Sequence, residues 1–168
     1  AGSDSTLKRM GRTYSTSKIQ EICKKLTNKL PEICIAADII AGFPGETDEE
    51  FEDSFNFYSQ LPLAYMHVFT YSARKGTTAA EMSNQIDSKT KKERTNRLLE
   101  LSKSKKQIFS SNYKNSKQLI LVESDNKKGF MSGFTENYIK ALIPFNEELI
   151  NQIVEVQLLE FNENEDYF

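Results

Sequence analysis

Residues 37–50 read ADIIAGFPGETDEE. An apolar run leaves through Gly-Phe-Pro-Gly and meets a block of acids. Residues 33–41, ICIAADIIA, are short and nearly continuously apolar, as expected of a parallel strand covered on both faces. Asp38 interrupts the run, so it is either paired or functional. Thr47 followed by Glu50 predicts a capping box, and Asp48, Glu49 and Glu50 in the first turn suit the positive end of a helix. Phe51, Phe55 and Tyr58 fall on one face of that helix, and Pro62 ends it. Glycines at 42 and 45 let backbone approach a ligand without a Cβ in the way, and Pro44 sets the turn.

Outward from this stretch the same pattern repeats. Residues 18–30 predict a helix from Ile19, Ile22, Cys23, Leu26 and Leu30 at helical spacing, with Ser17 and Gln20 as a capping box. Residues 64–71, AYMHVFTY, predict a second buried strand. Strand, helix, strand implies a right-handed parallel unit. In such units ligands lie beyond the carboxyl ends of the strands, here the turn at 42–45 and the loop after Tyr71. The spacing is neither that of a phosphate-binding loop nor that of a dinucleotide fingerprint, and the acidic helix start would repel a phosphate. A tight, well-capped turn with no ligand is the other reading.

A long polar helix is expected over 88–112. Ten basic residues lie between Lys89 and Lys117, opposed only by Glu93 and Glu100. They form either a solvated face or a surface that meets phosphates. Beyond residue 116, KQLILVES, KGFMSGFTENYIKALIPF and QIVEVQLLEF are short β-like segments. They predict a small antiparallel β-barrel over 116–161, after a boundary near 115. This part is acidic, and residues 162–168 are expected to be a disordered tail.

Of the 168 residues, 38% are hydrophobic and 27% charged, an ordinary composition for a soluble protein, with a net charge of −2. No run is long enough to span a bilayer and no signal peptide is evident, so a cytoplasmic setting without a membrane partner is expected. Cys23 and Cys34 have no metal or redox spacing and read as small buried hydrophobes. No metal ligand is expected. His67, the one histidine, reads as a strand residue rather than a ligand.

Three motifs in order, GSDSTLKRMGRTYS (2–15), DIIAGFPGET (38–47) and HVFTYSARKGTTAAEM (67–82), resemble the radical S-adenosylmethionine methylthiotransferases. The third is most like the branch that modifies threonylcarbamoyladenosine in tRNA, at position 37. The resemblance covers residues 2–110, and residues 116–161 sit where the family carries its TRAM β-barrel. It implies an α/β fold, the C-terminal portion of a partial TIM-like barrel, then a small antiparallel β-barrel. It also implies S-adenosylmethionine and 4Fe–4S clusters as cofactors and tRNA as partner. The cluster cleaves the cosubstrate to a radical that opens the base to sulfur and methyl transfer.

Carried onto this chain, the resemblance implies that Gly2, Ser3 and Asp4 line the strand end near the cosubstrate's methionine or ribose. Arg9 or Arg12 would meet its carboxylate, or both simply lie exposed at a helix start. Ile40, Gly42 and Phe43 would sit by the adenine, with Phe69, Tyr71 and Ser72 on the same rim, and Asp38 is a further cofactor-binding candidate. Arg74, Lys75, Lys89, Lys91 and Lys92 are the candidate RNA-binding cations. The prolines that the family often has near Lys75 and Thr78 are absent. So are the three closely spaced cysteines of the catalytic cluster, which needs thiolates. The chain is therefore expected to be the C-terminal part of such an enzyme, inactive alone, with no catalytic residue of its own. A non-catalytic RNA-binding module and a protein-interaction module are the competing readings. The oligomeric state is not legible.

Overall fold

A computed structural model describes residues 1–162 and 167–168. The chain divides into two compact units, Ala1–Lys105 and Lys106–Phe168.

In the first unit, α1 (Asp4–Arg9) and α2 (Thr16–Lys29) precede β1 (Ala36–Ala41), α3 (Asp48–Gln60) and β2 (Tyr65–Thr70). A one-turn α4 (Thr78–Glu81) and the long α5 (Ser88–Ser111) follow. The two strands pair in parallel, Ala36 opposite Tyr65 through Ala41 opposite Thr70. The capping box at Thr47 forms as the sequence predicts: the Thr47 hydroxyl accepts from Glu50 N–H and the Glu50 carboxylate accepts from Thr47 N–H. At α2 the cap is Ser15, whose hydroxyl accepts from Lys18 N–H, and not Ser17. The helix start that the sequence offered as one setting for Arg9 and Arg12 is α1, anchored by the buried Thr6 and Leu7.

Ile39, Ala41, Phe51, Tyr58, Leu61, Met66 and Leu98 form the core of this unit. Each large side chain so buried contributes about 1.5–3 kcal/mol. The expectation that β1 is covered on both faces is corrected. Along β1, Ala37, Ile39 and Ala41 turn inward, while Ala36 and Asp38 are exposed and Ile40 is half-buried. On β2, His67 and Phe69 are likewise exposed. Helices cover one face of this two-stranded sheet; the apolar run misled because alanine and isoleucine on the open face look like core.

The second unit is a four-stranded antiparallel sheet in the order β5-β4-β3-β6. Its strands are β3 (Lys117–Val122), β4 (Phe130–Thr135), β5 (Lys140–Pro144) and β6 (Ile153–Gln157). The edge strands β5 and β6 do not pair with each other, so the expected barrel is a half-barrel among the described residues. Ile120, Val122 and Met131 are completely buried, with Ile139, Ala141 and Leu158 around them. Gly133 is required where β3 and β4 cross: a Cβ there would lie 2.8 Å from Ile120 Cδ1. The expectation of a disordered tail is corrected at its ends. Asn162 bridges to Tyr167, and Phe168 is buried against Phe161 while its backbone pairs with Lys140 and Leu142. Residues 163–166 lie outside the described residues. The first compact unit ends inside α5, because Phe109 and Tyr113 pack into the second core.

Candidate functional site

Parallel pairing brings the carboxyl ends of β1 and β2 side by side. Tyr71 N–H donates to Ala41 O at 2.9 Å, and the Phe43 and Tyr71 rings meet edge to face with centroids 5.5 Å apart. Beside them opens a cleft of about 580 Å³. The open sheet face supplies Asp38, Ile40 and Phe69, and the loop after β2 supplies Tyr71, Ser72 and Arg74. The segment after α1 supplies Arg12 and Tyr14. The Arg12 and Arg74 guanidinium groups and the Asp38 carboxylate have no hydrogen-bond or ion-pair partner among the described residues. The Tyr71 hydroxyl is shut off from solvent with no hydrogen-bond partner. The cleft thus offers two cations, one anion, exposed aromatic surface and hydroxyls.

The other residues singled out from the sequence lie elsewhere. Gly2 and Ser3 are buried against α3: Gly2 N–H donates to Ser54 Oγ at 3.2 Å, and a Cβ on Gly2 would lie 2.9 Å from the Ser54 backbone. Asp4 accepts from Thr16 N–H at 2.7 Å and ties α1 to α2. Arg9 is committed to Glu50, with Nη1 on Oε1 at 2.9 Å and Nη2 on Oε2. That guanidinium holds the Glu50 carboxyl below its ordinary range. Gly42 is at a φ of +74°, and a Cβ there would meet Lys91 Cγ at 2.3 Å. Its freedom serves the close approach of a lysine stem. Phe43 is buried behind Tyr71. Arg74, Lys75, Lys89 and Lys92 are exposed.

Several cations of α5 have local partners that no spacing rule exposes. Arg94 is buried, and its Nη1 donates to Glu46 O at 2.9 Å and Oε2 at 2.8 Å. Burial pushes the Glu46 carboxyl up, against the opposing pull of Gly42 N–H and Arg94. Arg97 stacks on Phe51 and Phe55 and pairs with Glu52. Lys105 donates to Ser59 O and Leu61 O and so caps α3; burial lowers its ammonium pKa. Helix α5 itself is capped by Asp87, whose carboxylate accepts from Lys89 and Thr90 N–H, both at 2.9 Å. Asp87 three residues before Thr90 was the signal available for that cap.

In the second unit, Leu119, Leu121, Tyr138 and Ile153 are exposed around a shallow groove. Cys23 is buried in the first core on α2, and Cys34 is half-buried ahead of β1. Among the described residues no three His, Cys, Asp or Glu side chains are grouped so as to hold a metal. No described helix is long and apolar enough to cross a membrane.

Comparison with known proteins accounts for both units. Residues 111–165 match the TRAM domain family. Over 163 residues, 95% of this chain, it is 38% identical to the threonylcarbamoyladenosine tRNA methylthiotransferase of Bacillus subtilis. Over 162 residues it is 38% identical to the tRNA-2-methylthio-N(6)-dimethylallyladenosine synthase of Fusobacterium nucleatum. It is 36% identical to the enzyme of that same description from Alkaliphilus oremlandii, again over 162 residues. The chain spans about a third of the length of these relatives, 36%, 37% and 34% in turn. With a TRAM domain match at 111–165 and nearly all of its length aligned to them, this chain is similar throughout to about a third of each of these tRNA methylthiotransferases.

Proposed function

We propose that this chain is part of a tRNA methylthiotransferase of the radical S-adenosylmethionine kind, acting in the cytoplasm on threonylcarbamoyladenosine. Its Ala1–Lys105 unit is one side of a partial TIM-like barrel that holds the cosubstrate, and its TRAM unit engages tRNA. The observation that carries the reading is the cleft at the ends of β1 and β2, in a chain similar to such enzymes along 95% of its length.

The cleft fits S-adenosylmethionine by its donor set. Arg12 offers a guanidinium fork to the carboxylate. Asp38 offers an anion to the ammonium, and the Tyr71 hydroxyl lacks a protein partner. Ile40, Phe69 and Tyr71 offer apolar and aromatic surface to the adenine, with Ser72 at the rim. Phe43 supports this wall through its edge-to-face contact with Tyr71. Arg74, Lys75, Lys89 and Lys92 are the cations we assign to tRNA phosphate. Cys23 and Cys34 do not make an iron–sulfur ligand set, so no step is assigned to a cluster on these residues and the chain alone is expected to be inactive. When bound to the complete enzyme, the cosubstrate supplies the radical and the methyl group.

The test has two arms. Calorimetric titration of this chain with S-adenosylhomocysteine should give saturable binding that Arg12→Ala and Asp38→Asn weaken. A longer gene product carrying three closely spaced cysteines should add a methylthio group to tRNA bearing threonylcarbamoyladenosine, read by nucleoside mass spectrometry. Absence of such cysteines upstream would refute the assignment. Turnover only on isopentenyladenosine would move it to the other branch.

A further inference from the structure

We propose that Arg94 is a positioning residue for the cleft. Through Glu46 it holds the Gly42–Phe43 turn where the Phe43 ring supports Tyr71. This rests on the reading of the cleft as the cosubstrate pocket.

One carboxylate oxygen joins helix and turn. Glu46 Oε2 accepts both Arg94 Nη1 at 2.8 Å and Gly42 N–H at 3.0 Å. Arg94 Nη1 also caps the Glu46 carbonyl, and Nη2 reaches Asp48 Oδ1 at 2.6 Å. The Glu46 and Arg94 side chains are 3% and 6% exposed, so the pair is desolvated. A buried ion pair of this kind is no better for stability than well-packed apolar side chains of equal volume. Stability alone therefore does not account for it. What the pair does that an apolar pair cannot is direct a carboxylate oxygen at one backbone N–H.

Two neighbours on the same helical face complete the clamp. The Lys91 stem lies on Gly42 and its Nζ sits 5.7 Å above the Tyr71 ring. Thr95 Oγ1 meets Thr70 Oγ1 at 2.8 Å at the end of β2. Helix α5 thus grips the turn after β1 and the last residues of β2 together. Among the described residues Arg94 makes no hydrogen bond or ion pair with a cleft-lining side chain, and its link to them runs through Glu46, Gly42 and Phe43.

The experiment uses this chain with Arg94→Gln, read in two ways. The first is the nuclear Overhauser contact between the Phe43 and Tyr71 rings. The second is the affinity for S-adenosylhomocysteine. The expected result is loss of the ring contact in a folded protein, with affinity about tenfold weaker, the scale on which small misplacement acts. Arg94→Lys should keep the fold and recover only part of the affinity. A folded Arg94→Gln protein with the ring contact intact and affinity within about twofold of the parent would overturn the proposal. If Arg94→Gln does not fold, Glu46→Gln is read by the same two criteria. If the parent chain itself does not bind S-adenosylhomocysteine, the pocket reading fails, and the ring contact alone decides the role of Arg94.

Discussion

Gly42→Ala separates two reasons for a glycine at the end of β1. If Gly42 were there only to admit a ligand, adding a methyl group would leave the fold untouched and weaken binding. The structure predicts the reverse order of effects. At a φ of +74° an L-residue pays about 1–2 kcal/mol for the left-handed backbone. The new Cβ would also lie 2.3 Å from Lys91 Cγ, 3.1 Å from its Cδ and 3.3 Å from its Cβ. Relieving such overpacking costs about 1–3 kcal/mol more. The sum, roughly 2–5 kcal/mol, should lower the unfolding temperature of the first unit by about 10 °C or more. The assay is thermal and urea unfolding of four proteins: the parent, Gly42→Ala, Lys91→Ala and the double variant. In the Lys91→Ala background the Cγ and Cδ contacts are gone and only the Cβ at 3.3 Å remains, so Gly42→Ala should cost little more than the backbone share of about 1–2 kcal/mol. An equal penalty in both backgrounds would refute the steric account. A penalty below about 0.5 kcal/mol in either would refute the backbone account as well.

Four further outcomes follow from other contacts. Thr47→Ala removes the side-chain half of the capping box and should destabilise the first unit by about 1 kcal/mol in urea unfolding. Met131→Ala empties a fully buried site of the second core and should cost about 2–5 kcal/mol, seen as an earlier transition of that unit by calorimetry. Glu50 is held below the ordinary carboxylate range, first by its hydrogen bond from Arg9, so its contribution is present above the unfolded pKa and lost as pH falls through the folded one. Thermal unfolding should therefore show stability falling as pH drops through and below the ordinary carboxylate range, and Glu50→Gln should flatten that slope. Binding of tRNA measured on filters at several salt concentrations should carry a log–log slope no steeper than about −4 from the first unit, because only Arg74, Lys75, Lys89 and Lys92 are assigned to phosphate.

Elements with a repeating or local signal were legible in the sequence. The strand–helix–strand order, the parallel pairing and the Thr47 cap follow from apolar runs and from one Thr-x-x-Glu spacing. Asp38, Ile40, Phe69, Tyr71, Ser72 and Arg12, expected around one cosubstrate, line a single cleft, and Arg74, expected to meet RNA, lines it too. Contacts between residues distant in the chain were not legible. Gly42 was read as space for a ligand, because nothing local says that Lys91, 49 positions on, fills it. Arg9 was a candidate for a carboxylate and found one on Glu50. Phe168, at the end of an acidic stretch, was discounted by composition and yet adds its backbone to β5.

The basic run of α5 shows why charge counting overstates a nucleic-acid surface. A cation contributes to phosphate binding only if it is solvated and able to displace counterions. Arg94 is desolvated against Glu46, Arg97 is stacked on Phe51 and Phe55, Lys105 is spent on carbonyls at the end of α3, and Lys91 lies over Gly42 and Tyr71. These four, Arg97 from the surface and the others from more buried positions, fasten the helix to α3, to the turn after β1 and to β2. Their positive charge is what makes the fastening directional, since each can be answered only by an oxygen or an aromatic face. Lys89 and Lys92, by contrast, stay exposed on the first turns of the same helix, so a count of solvated cations on α5 must start from them and not from the whole basic run.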